Sequence, residues 1–538
     1  MKRLFFCLAV LGVILTGCSK NDDGESDKPN NNGNEQPENP NEPELPELPA
    51  LPDPDDVCSA MDDLNFMAYC YENFDVNKDG KVSVTEANAA KEIYTTSSKW
   101  VSVKGIERFP NIEILSLNGS SITELDLRYN LKLKSISGYS SLLTTVLLPN
   151  TLTSIEKSAF KECASLIEIH FPASLTSIGV NAFYGCSSLT EINFPASLTS
   201  IGGSAFRGCS SLVEIHLSDN LTSIGEYAFS GCSSLTEINF PASLTSIRGF
   251  AFSGCSSLVE IHLPDNLTSI GERAFWSCSS LTEIHLPASL TWIGGSAFSG
   301  CSNLTKINLP DNLTSIGKTA FSGCSSLTEI HFPASLTSIG EYAFSGCSSL
   351  TEINLPASLA SIGGSAFSGC SSLTEINFPA SLTSIGESAF SFCSNLTEIH
   401  LPASLTSIGE GTFWSCSSLT EINLPASLAS IGESAFSGCS SLTEINFPAS
   451  LTSIGESAFS FCSSLTEINF PASLTSIGES AFSFCSSLTE VICYALVPPK
   501  LNGFSNSTIE NLYVPAESIQ AYKDSSWAIY FKNILPIE

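Results

Sequence analysis

The sequence predicts a solenoid of stacked coils, and three observations support that prediction. The segment SLTEINFPASLTSIGGSAFRGCS, residues 188–210, recurs with small changes from residue 143 to residue 485. Cysteines follow one another at intervals of 23 residues from Cys163 to Cys485, which marks fifteen coils. One coil buries too little apolar surface to offset the backbone entropy of its residues. The coils must therefore stack, and a fixed period in this range is typical of a solenoid.

Each coil contains one short strand that can be read from its sequence. Glu191 and Asn193 alternate with the apolar Ile192 and Phe194. Side chains of a strand alternate between its two faces, so the apolar pair points inward and the polar pair outward. Pro195 ends the strand because it has no amide hydrogen to donate. The remaining inward positions of this coil are Leu198, Ile201, Ala205, Phe206 and Cys209.

The recurring pattern LxxIxLPxxLxxIGxxAFxxC resembles the leucine-rich repeat of BspA-like (Treponema pallidum type) surface lipoproteins of Bacteroidetes. This resemblance covers about two thirds of the chain. It implies a curved, right-handed leucine-rich repeat solenoid with a parallel β-sheet on the concave side. Short strands, turns or 3₁₀ pieces are implied on the convex side. Members of such families act as surface proteins that adhere to host or bacterial partners, which is an expectation from the fold alone.

The N-terminus has the pattern of a lipoprotein. Residues 1–17 read as a signal peptide, with two basic residues and an apolar run too short to span a bilayer. The ending LTGC resembles a lipobox, which implies lipidation of Cys18 and anchoring without a membrane-spanning helix. The following SKNDD resembles a surface-export signal, so we expect an outer membrane lipoprotein exposed on the cell surface. An ordinary signal peptide and a periplasm-facing protein are the alternatives.

Residues 18–57 are rich in Asn, Pro, Glu and Asp, and they predict a disordered stalk behind the anchor.

Residues 58–100 predict a small helical module around the loop DVNKDGKVSVTE. This loop fits the EF-hand pattern through Asp75, Asn77, Asp79 and Glu86, with Gly80 at its sharp turn. The pattern predicts one structural calcium ion, and the alternative is an acidic turn that binds no metal. The expected ligands are Asp75, Asn77, Asp79, Lys81 through its carbonyl, Ser83 and Glu86.

Apolar spacing predicts helices on both sides of this loop. The first contains Leu64, Met67, Ala68 and Tyr71, and the second contains Ala87, Ala90, Ile93 and Tyr94. Residues 101–142 predict shorter, irregular coils that resemble internalin-type repeats. Their apolar residues predict three groups, around Leu115, Leu125 and Ile136. Residues 143–485 are the regular coils, and residues 486–538 predict C-terminal coils and a cap closed by Trp527.

The chain has 20 cysteines, and their placement indicates packing more than cross-linking. Fifteen occupy one inward position of successive coils, where free cysteine packs as a small hydrophobic residue. Bridges between neighbouring coils are the alternative, since strand spacing lies within the range of a disulfide. Cys58 and Cys70 form a separate pair that could bridge.

Charge and motifs argue against nucleic-acid or lipid binding and against catalysis. The formal net charge of −31 disfavours nucleic acid and anionic lipid as partners, because both require clustered Lys and Arg. Contact with the membrane is therefore expected through the lipid anchor only. Each candidate catalytic residue recurs in many coils, whereas an active site is a unique arrangement. The chain also lacks GxSxG, CxxC, HExxH and a phosphate-binding loop, so we expect no enzyme.

The outward positions of the strands predict a polar binding face on the concave side. All six histidines occupy one repeat position, which is Asn in most other coils, and Glu lies two residues earlier. A metal site at Glu260, His262, Glu283 and His285 is a minor alternative, and solubility alone is another. The candidate residues are Glu191, Glu214, His216, Glu237, Glu260, His262, Glu283, His285, Glu329, His331, Glu398 and His400.

We expect the protein to recognise a host or bacterial surface protein by non-covalent, adhesin-like binding. Capture of a polysaccharide and a purely architectural role are the alternatives. Aromatic residues that depart from the repeat offer a second candidate surface, although packing under the convex surface is the favoured interpretation. These are Trp276, Trp292, Phe392, Trp414, Phe461 and Phe484.

Overall fold

The computed structural model describes residues 45–138, 140–504 and 509–537. The predicted signal peptide, Cys18 and most of the predicted stalk lie outside the described residues. The chain divides into two units, residues 1–48 and residues 49–538. Residues 45–48 of the first unit form no helix or strand. The second unit is a parallel-strand solenoid of about 19 turns with few helices, which confirms the predicted fold.

Two α-helices flank the candidate calcium loop, at Leu64–Phe74 and Val84–Ala89. Asp63 caps the first helix by accepting from the amides of Asn65 and Phe66. Ser83 and Glu86 form a reciprocal capping box on the second helix, which satisfies two amides that the helix leaves without partners. A 3₁₀ turn at Val57–Ala60 precedes these helices.

The second helix is shorter than the sequence predicts. It ends at Ala89, and Glu92–Thr95 forms a strand instead. Ile93 of this strand pairs in register with Leu115 and is fully buried. The β-branched side chains of Ile93 and Thr95 favour a strand, and pairing outweighs the helical spacing. The helical assignment of Ile93 and Tyr94 is therefore wrong, and the first strand of the solenoid begins inside the predicted helical module.

The irregular coils also differ from their predicted division. Leu115 and Ile136 pair in one sheet, whereas Leu125 and Val146 pair in another. The three predicted groups therefore alternate between two sides of longer coils. Paired residues are 21 apart here, compared with 23 in the regular array. The strands are Ile114–Leu117, Glu124–Asp126, Ser135–Ser137 and Thr145–Leu147, and a 3₁₀ turn lies at Ile106–Arg108.

A regular coil contributes one strand to each of two sets of parallel ladders. The longer strand carries Glu, Ile and Asn or His in most coils, and it pairs with the equivalent residues 23 positions away. The longer strands are Glu168–His170, Glu191–Asn193, Glu214–His216, Glu237–Asn239, Glu260–His262, Glu283–His285, Lys306–Asn308, Glu329–His331, Glu375–Asn377, Glu398–His400, Glu467–Phe470 and Glu490–Cys493. Asn354, Asn423 and Asn446 form isolated bridges at the equivalent positions, Asn354 with both of its neighbours.

The second strand of a coil contains two residues and buries its Ile. Its ladder keeps the same step of 23 residues as far as Ser476–Ile477, and the last step, to Lys500–Leu501, is 24 residues with Leu in place of Ile. The shorter strands are Ser154–Ile155, Ser177–Ile178, Ser200–Ile201, Ser223–Ile224, Ser246–Ile247, Ser269–Ile270, Trp292–Ile293, Ser315–Ile316, Ser338–Ile339, Ser361–Ile362, Ser384–Ile385, Ser407–Ile408, Ser430–Ile431, Ser453–Ile454, Ser476–Ile477 and Lys500–Leu501.

The core contains a stack of phenylalanine rings beside a column of thiols. The rings of Phe206 and Phe229 lie parallel, with centroids 5.3 Å apart. The thiol of Cys209 donates to the carbonyl oxygen of Phe183 in the preceding coil, at 3.3 Å, and the pattern repeats along the array. All cysteines in the described part of the chain are buried and free, including Cys58 and Cys70. The thiols of this column therefore satisfy backbone carbonyl oxygens by hydrogen bonding, and they form no disulfide bonds.

The last coil is covered by strands Ile509–Val514 and Phe531–Pro536, helix Ile519–Lys523 and 3₁₀ turns Ala516–Ser518 and Ser526–Ile529. Trp527 is fully buried, and its indole N–H donates to the carbonyl oxygen of Pro499 at 2.9 Å. Its ring also contacts Phe504. Because an open solenoid end exposes both core and strand edge, this tryptophan stabilises the terminus.

Candidate binding face

The polar strand face consists of the outward residues of the longer strands. Glu260 pairs with Glu283, and His262 pairs with His285, one coil apart. Their side chains are exposed, while Ile261 between them is buried. Carboxylates thus stand in one column and Asn or His in the next, and neighbours within a column are separated by the strand spacing of about 4.8 Å.

Each strand of this face contains an internal polar pair. The imidazole Nε2 of each histidine lies 2.9–3.4 Å from Oε1 of the Glu two residues earlier. Asn occupies the same place in other coils, and the Nδ2 of Asn193 donates to Glu191 at 2.7 Å. Histidine therefore substitutes for Asn as the neighbour of a carboxylate in its own coil. The sequence places these residues on one face, but it does not reveal this pairing.

One lysine interrupts the column of carboxylates. Lys306 occupies the Glu position of its strand and pairs in register with Glu283 and Glu329. Its Nζ lies 3.9 Å from Oε2 of Glu329. Lys306 is a long, unbranched side chain like the Glu that it replaces, but its charge is opposite. It therefore breaks the column of negative charge at one coil.

The suggested metal site at His262 and His285 has no converging geometry. Each imidazole lies 3.4 Å from the carboxylate of its own strand, Glu260 or Glu283. Over the described ranges, no group of three or more His, Cys, Asp or Glu residues is gathered to hold a metal ion, and this includes Asp75, Asp79 and Glu86 of the candidate calcium loop. Parallel strand side chains do not converge, which explains why adjacency alone builds no site here.

The candidate calcium loop is closed by its own backbone amides. Asp75 accepts from the amides of Asp79 and Gly80, at 3.2 and 2.9 Å. Glu86 accepts from the amide of Val76 at 2.9 Å and from the hydroxyl of Ser83 at 2.8 Å. Hydrogen bonds from Ser83 lower the pKa of Glu86, which keeps that carboxylate ionised.

The donor set of this loop has the chemistry that calcium prefers. Asn77 and Asp79 also direct side-chain oxygens to loop amides, so four oxygen-bearing side chains hold the turn. Gly80 has a φ of +84°, the left-handed conformation that the turn requires. Oxygen ligands on a tight acidic loop fit a hard divalent cation.

The six aromatic residues that depart from the repeat are exposed, so the expectation that they pack under the surface is wrong. Each exposes between 41 and 54% of its surface. Phe392, Phe461 and Phe484 occupy left-handed positions that are Gly in most coils. A large side chain at such a position projects from the turn and cannot join the core. The rings of Phe461 and Phe484 stack on each other at 4.5 Å instead.

Other outward residues were not singled out from the sequence. Arg207, Tyr227 and Arg273 each depart from the Ser that most coils carry at their position. The departure from Ser is the feature of the sequence that marks these residues as candidates for a binding surface. They lie on the turn face. We define this face as the outward side chains of the turns that follow the shorter strand of each coil and end at its recurring cysteine.

No helix in the described residues is long and apolar enough to cross a membrane. No curated protein sequence matches this chain. Among solved structures, a leucine-rich repeat protein from Bacteroides ovatus is 33% identical, with a TM-score of 0.55, and the match covers 72% of this chain and 88% of that one. A leucine-rich cell surface protein from Faecalibacterium prausnitzii is 29% identical, with a TM-score of 0.36 and coverage of 66% and 84%.

A family model described as a BspA type leucine rich repeat region also matches the chain. Its matches cover residues 134–258, 223–350, 314–428 and 406–528. They extend across the regular coils into the C-terminal cap and so include most of the solenoid. With the Bacteroides ovatus structure, these matches show that the chain belongs to the BspA-type leucine-rich repeat family.

Proposed function

We propose that the protein is an adhesin-like binding protein whose polar strand face recognises a basic segment of a host or bacterial surface protein. The observation that carries this proposal is the in-register column of exposed carboxylates. Leucine-rich repeat solenoids are typical of protein-binding surface proteins, which supports the general class of function. The partner and its basic segment belong to the proposal.

The electrostatics of the column favour a cationic partner. Unit charges at this spacing repel by about 1 kcal/mol per neighbouring pair in water. Lys or Arg side chains placed along the column relieve this repulsion and also increase the rate of encounter. Because the same column repeats in many coils, one extended partner contacts several of them at once, and weak contacts add through avidity.

The test measures binding of the full-length protein to a panel of host matrix proteins and bacterial surface proteins at low and high salt. A triple variant, Glu237→Gln, Glu260→Gln and Glu283→Gln, removes three charges from the polar strand face. Its matched control, Glu433→Gln, Glu456→Gln and Glu479→Gln, removes three charges from the turn face. We expect salt-sensitive binding to at least one protein, weakened at least tenfold by the first variant and unchanged by the control.

Two outcomes would count against the polar strand face. Equal weakening by both triple variants indicates a response to net charge alone. Absence of binding across the panel favours the architectural role, in which the carboxylates only keep the sheet soluble.

The protein is further proposed to be an outer membrane lipoprotein exposed on the cell surface. The lipobox ending at Cys18 and the acidic residues behind it support this location. Labelling of cells with a fatty-acid analogue is expected to tag the wild type and not Cys18→Ala. Protease added to intact cells is expected to remove the protein, and full protection would place it inside the outer membrane.

One structural calcium ion is proposed for the loop of Asp75, Asn77, Asp79, Lys81, Ser83 and Glu86. Their oxygen donors and the left-handed turn at Gly80 support it. Calcium is expected to raise the melting temperature of the wild type and to give measurable binding heat. Glu86→Gln is expected to lose both responses, whereas Asp62→Asn, an exposed residue outside the loop, keeps them. A wild type that gains neither heat nor stability contradicts the proposal.

A further inference from the structure

The turn face carries a second surface that is independent of the polar strand face. An open cleft of about 900 Å³ lies there, and its lining includes Arg207, Tyr227, Phe250, Arg273 and Trp276. Trp276 is 44% exposed, so one large aromatic surface is available to a ligand. Among the described residues, the outward positions of the regular strands on the polar strand face are Glu, Lys, Asn or His and include no Phe, Tyr or Trp, which makes the two surfaces chemically different.

Two cations flank a pair of stacked aromatic rings along this cleft. The guanidinium carbon of Arg207 lies 4.9 Å from the ring centroid of Tyr227 and 6.0 Å from that of Tyr184. The rings of Tyr227 and Phe250 stack at 4.4 Å, and the guanidinium of Arg273 lies 5.2 Å from the Phe250 centroid. These contacts hold flexible side chains in place across successive coils.

The cleft is formed by side chains that the core does not require. Tyr227, Phe250 and Arg273 have φ values of 59°, 57° and 52°, in the left-handed region. Most coils place Ser at this position with a similar φ, as at Ser204 and Ser296. The fold therefore tolerates Ser throughout, and the larger residues in three successive coils create a local surface that the rest of the array lacks.

Arg207 is the cation of this cleft that is available to a ligand. Arg273 pairs with Glu272 at 3.5 Å, and Lys318 pairs with Glu341. Among the described residues Arg207 has no ion-pair partner, and its charge faces only aromatic rings. A guanidinium that lies over a ring keeps its N–H groups in its own plane, where they fit a carboxylate in two parallel hydrogen bonds.

These cations lie in the last part of the array that contains Lys or Arg before the C-terminal coils. No Lys or Arg occurs between Lys318 and Lys500, so the later coils carry no positive charge. Trp414 occupies the same repeat position as Trp276 but has Phe392 as its aromatic neighbour at 4.7 Å. Of these two tryptophans, only Trp276 lies beside cations. The surface around Trp414 is therefore aromatic alone, whereas the surface around Trp276 is both aromatic and cationic.

We propose that this cleft binds an acidic oligosaccharide. A carboxylate of the sugar pairs with Arg207, one sugar ring stacks on Trp276, and the hydroxyl of Ser230 bonds to an intervening sugar hydroxyl. Arg207 and Trp276 are three coils apart, which is roughly 14 Å at the spacing of parallel strands. This distance requires an oligosaccharide and excludes a single sugar as the spanning ligand.

The experiment is calorimetric titration of the full-length protein with an oligogalacturonide, using its methyl-esterified form as the matched neutral probe. Arg207→Ser and Trp276→Ser restore the common residue of the repeat, so the fold is preserved. We expect the acid form to bind, and each variant to weaken binding at least tenfold. Trp414→Ser and Arg248→Gly, which remove an equivalent indole and an equivalent charge outside the cleft, are expected to leave binding unchanged.

Four outcomes would overturn the proposal. They are no binding of the acid form, equal binding of the methyl ester, equal loss in Arg248→Gly or Trp414→Ser, and tighter binding of an oligoglutamate peptide. The last would assign the cleft to an acidic polypeptide. The triple Glu→Gln variant of the polar strand face is expected to bind the oligogalacturonide normally, so failure of either site is distinguishable from failure of the other.

Discussion

The polar strand face and the turn face share one backbone but use it differently. On the strand face, Glu followed by Ile and Asn or His recurs with one lysine interruption. On the turn face the backbone ladder is equally regular, since Ser204 and Phe250 each donate to a Glu carbonyl in the next coil at 2.8 Å. The side chains of that ladder nevertheless change from coil to coil.

This difference separates two ways in which a solenoid encodes recognition. A repeated face multiplies one weak contact, so its strength depends on the number of coils engaged. A face with local departures can form a unique site, as around Arg207 and Trp276. The backbone supports both because its hydrogen bonds do not depend on the outward side chain.

The largest contrast is expected between the core and the turn face. Phe298→Ala removes a ring that stacks at 5.5 Å on both of its neighbours, and we expect it to lower the free energy of unfolding by about 3–5 kcal/mol. Phe461→Gly removes an exposed ring with a φ of 62° and is expected to change stability by about 1 kcal/mol or less. Urea unfolding followed by circular dichroism measures both. Equal losses would show that the turn-face rings support the core.

Alkaline pH is expected to destabilise the array through its thiols. Burial raises the pKa of Cys209 and of Cys255 to about 12, above the ordinary value near 9. A group with a raised folded-state pKa stabilises fully below pH 9 and loses that contribution between pH 9 and 12. Each such thiol lowers stability by up to roughly 1.4 kcal/mol per pH unit in this window. Melting temperature against pH measures the effect, and Cys255→Ala should make the decline less steep.

Deleting one coil is expected to affect the two faces unequally. Removal of residues 234–256 joins equivalent positions, keeps the step of 23 residues and eliminates Phe250 from the cleft. We expect near-normal circular dichroism, retained binding at the polar strand face and at least tenfold weaker oligogalacturonide binding. The matched deletion of residues 418–440 should retain both. Loss of the fold in either deletion would contradict the independence of backbone and surface.

The smallest effect is expected from charge removal on the polar strand face. Glu260→Gln with Glu283→Gln relieves repulsion between exposed neighbours, so the melting temperature should rise slightly at low salt and stay unchanged at high salt. Lys306→Glu completes the acidic column and should lower it at low salt. A response that persists at high salt would indicate a packing effect instead of electrostatics.

The sequence predicted the stacking and the buried strand positions because Ile192 and its equivalents alternate with polar residues in every coil. It failed at Ile93, where helical spacing coincided with a strand and only pairing with Leu115 decides the outcome. It also could not show that His262 contacts Glu260, because alternation fixes the face of a side chain and leaves its rotamer open. Left-handed turns at Ser204 and Tyr227 gave no signal, since neither residue is the Gly that usually marks them.

The constant step of 23 residues has a genetic consequence. Recombination between two coils at equivalent codons adds or removes whole coils, and the product still pairs in register. Lineages can therefore vary the length of the protein without passing through an unfolded intermediate. The same events would erase or duplicate the cleft around Trp276 in one step. Natural length variants of such a gene are thus predicted to differ sharply in ligand specificity and little in folding.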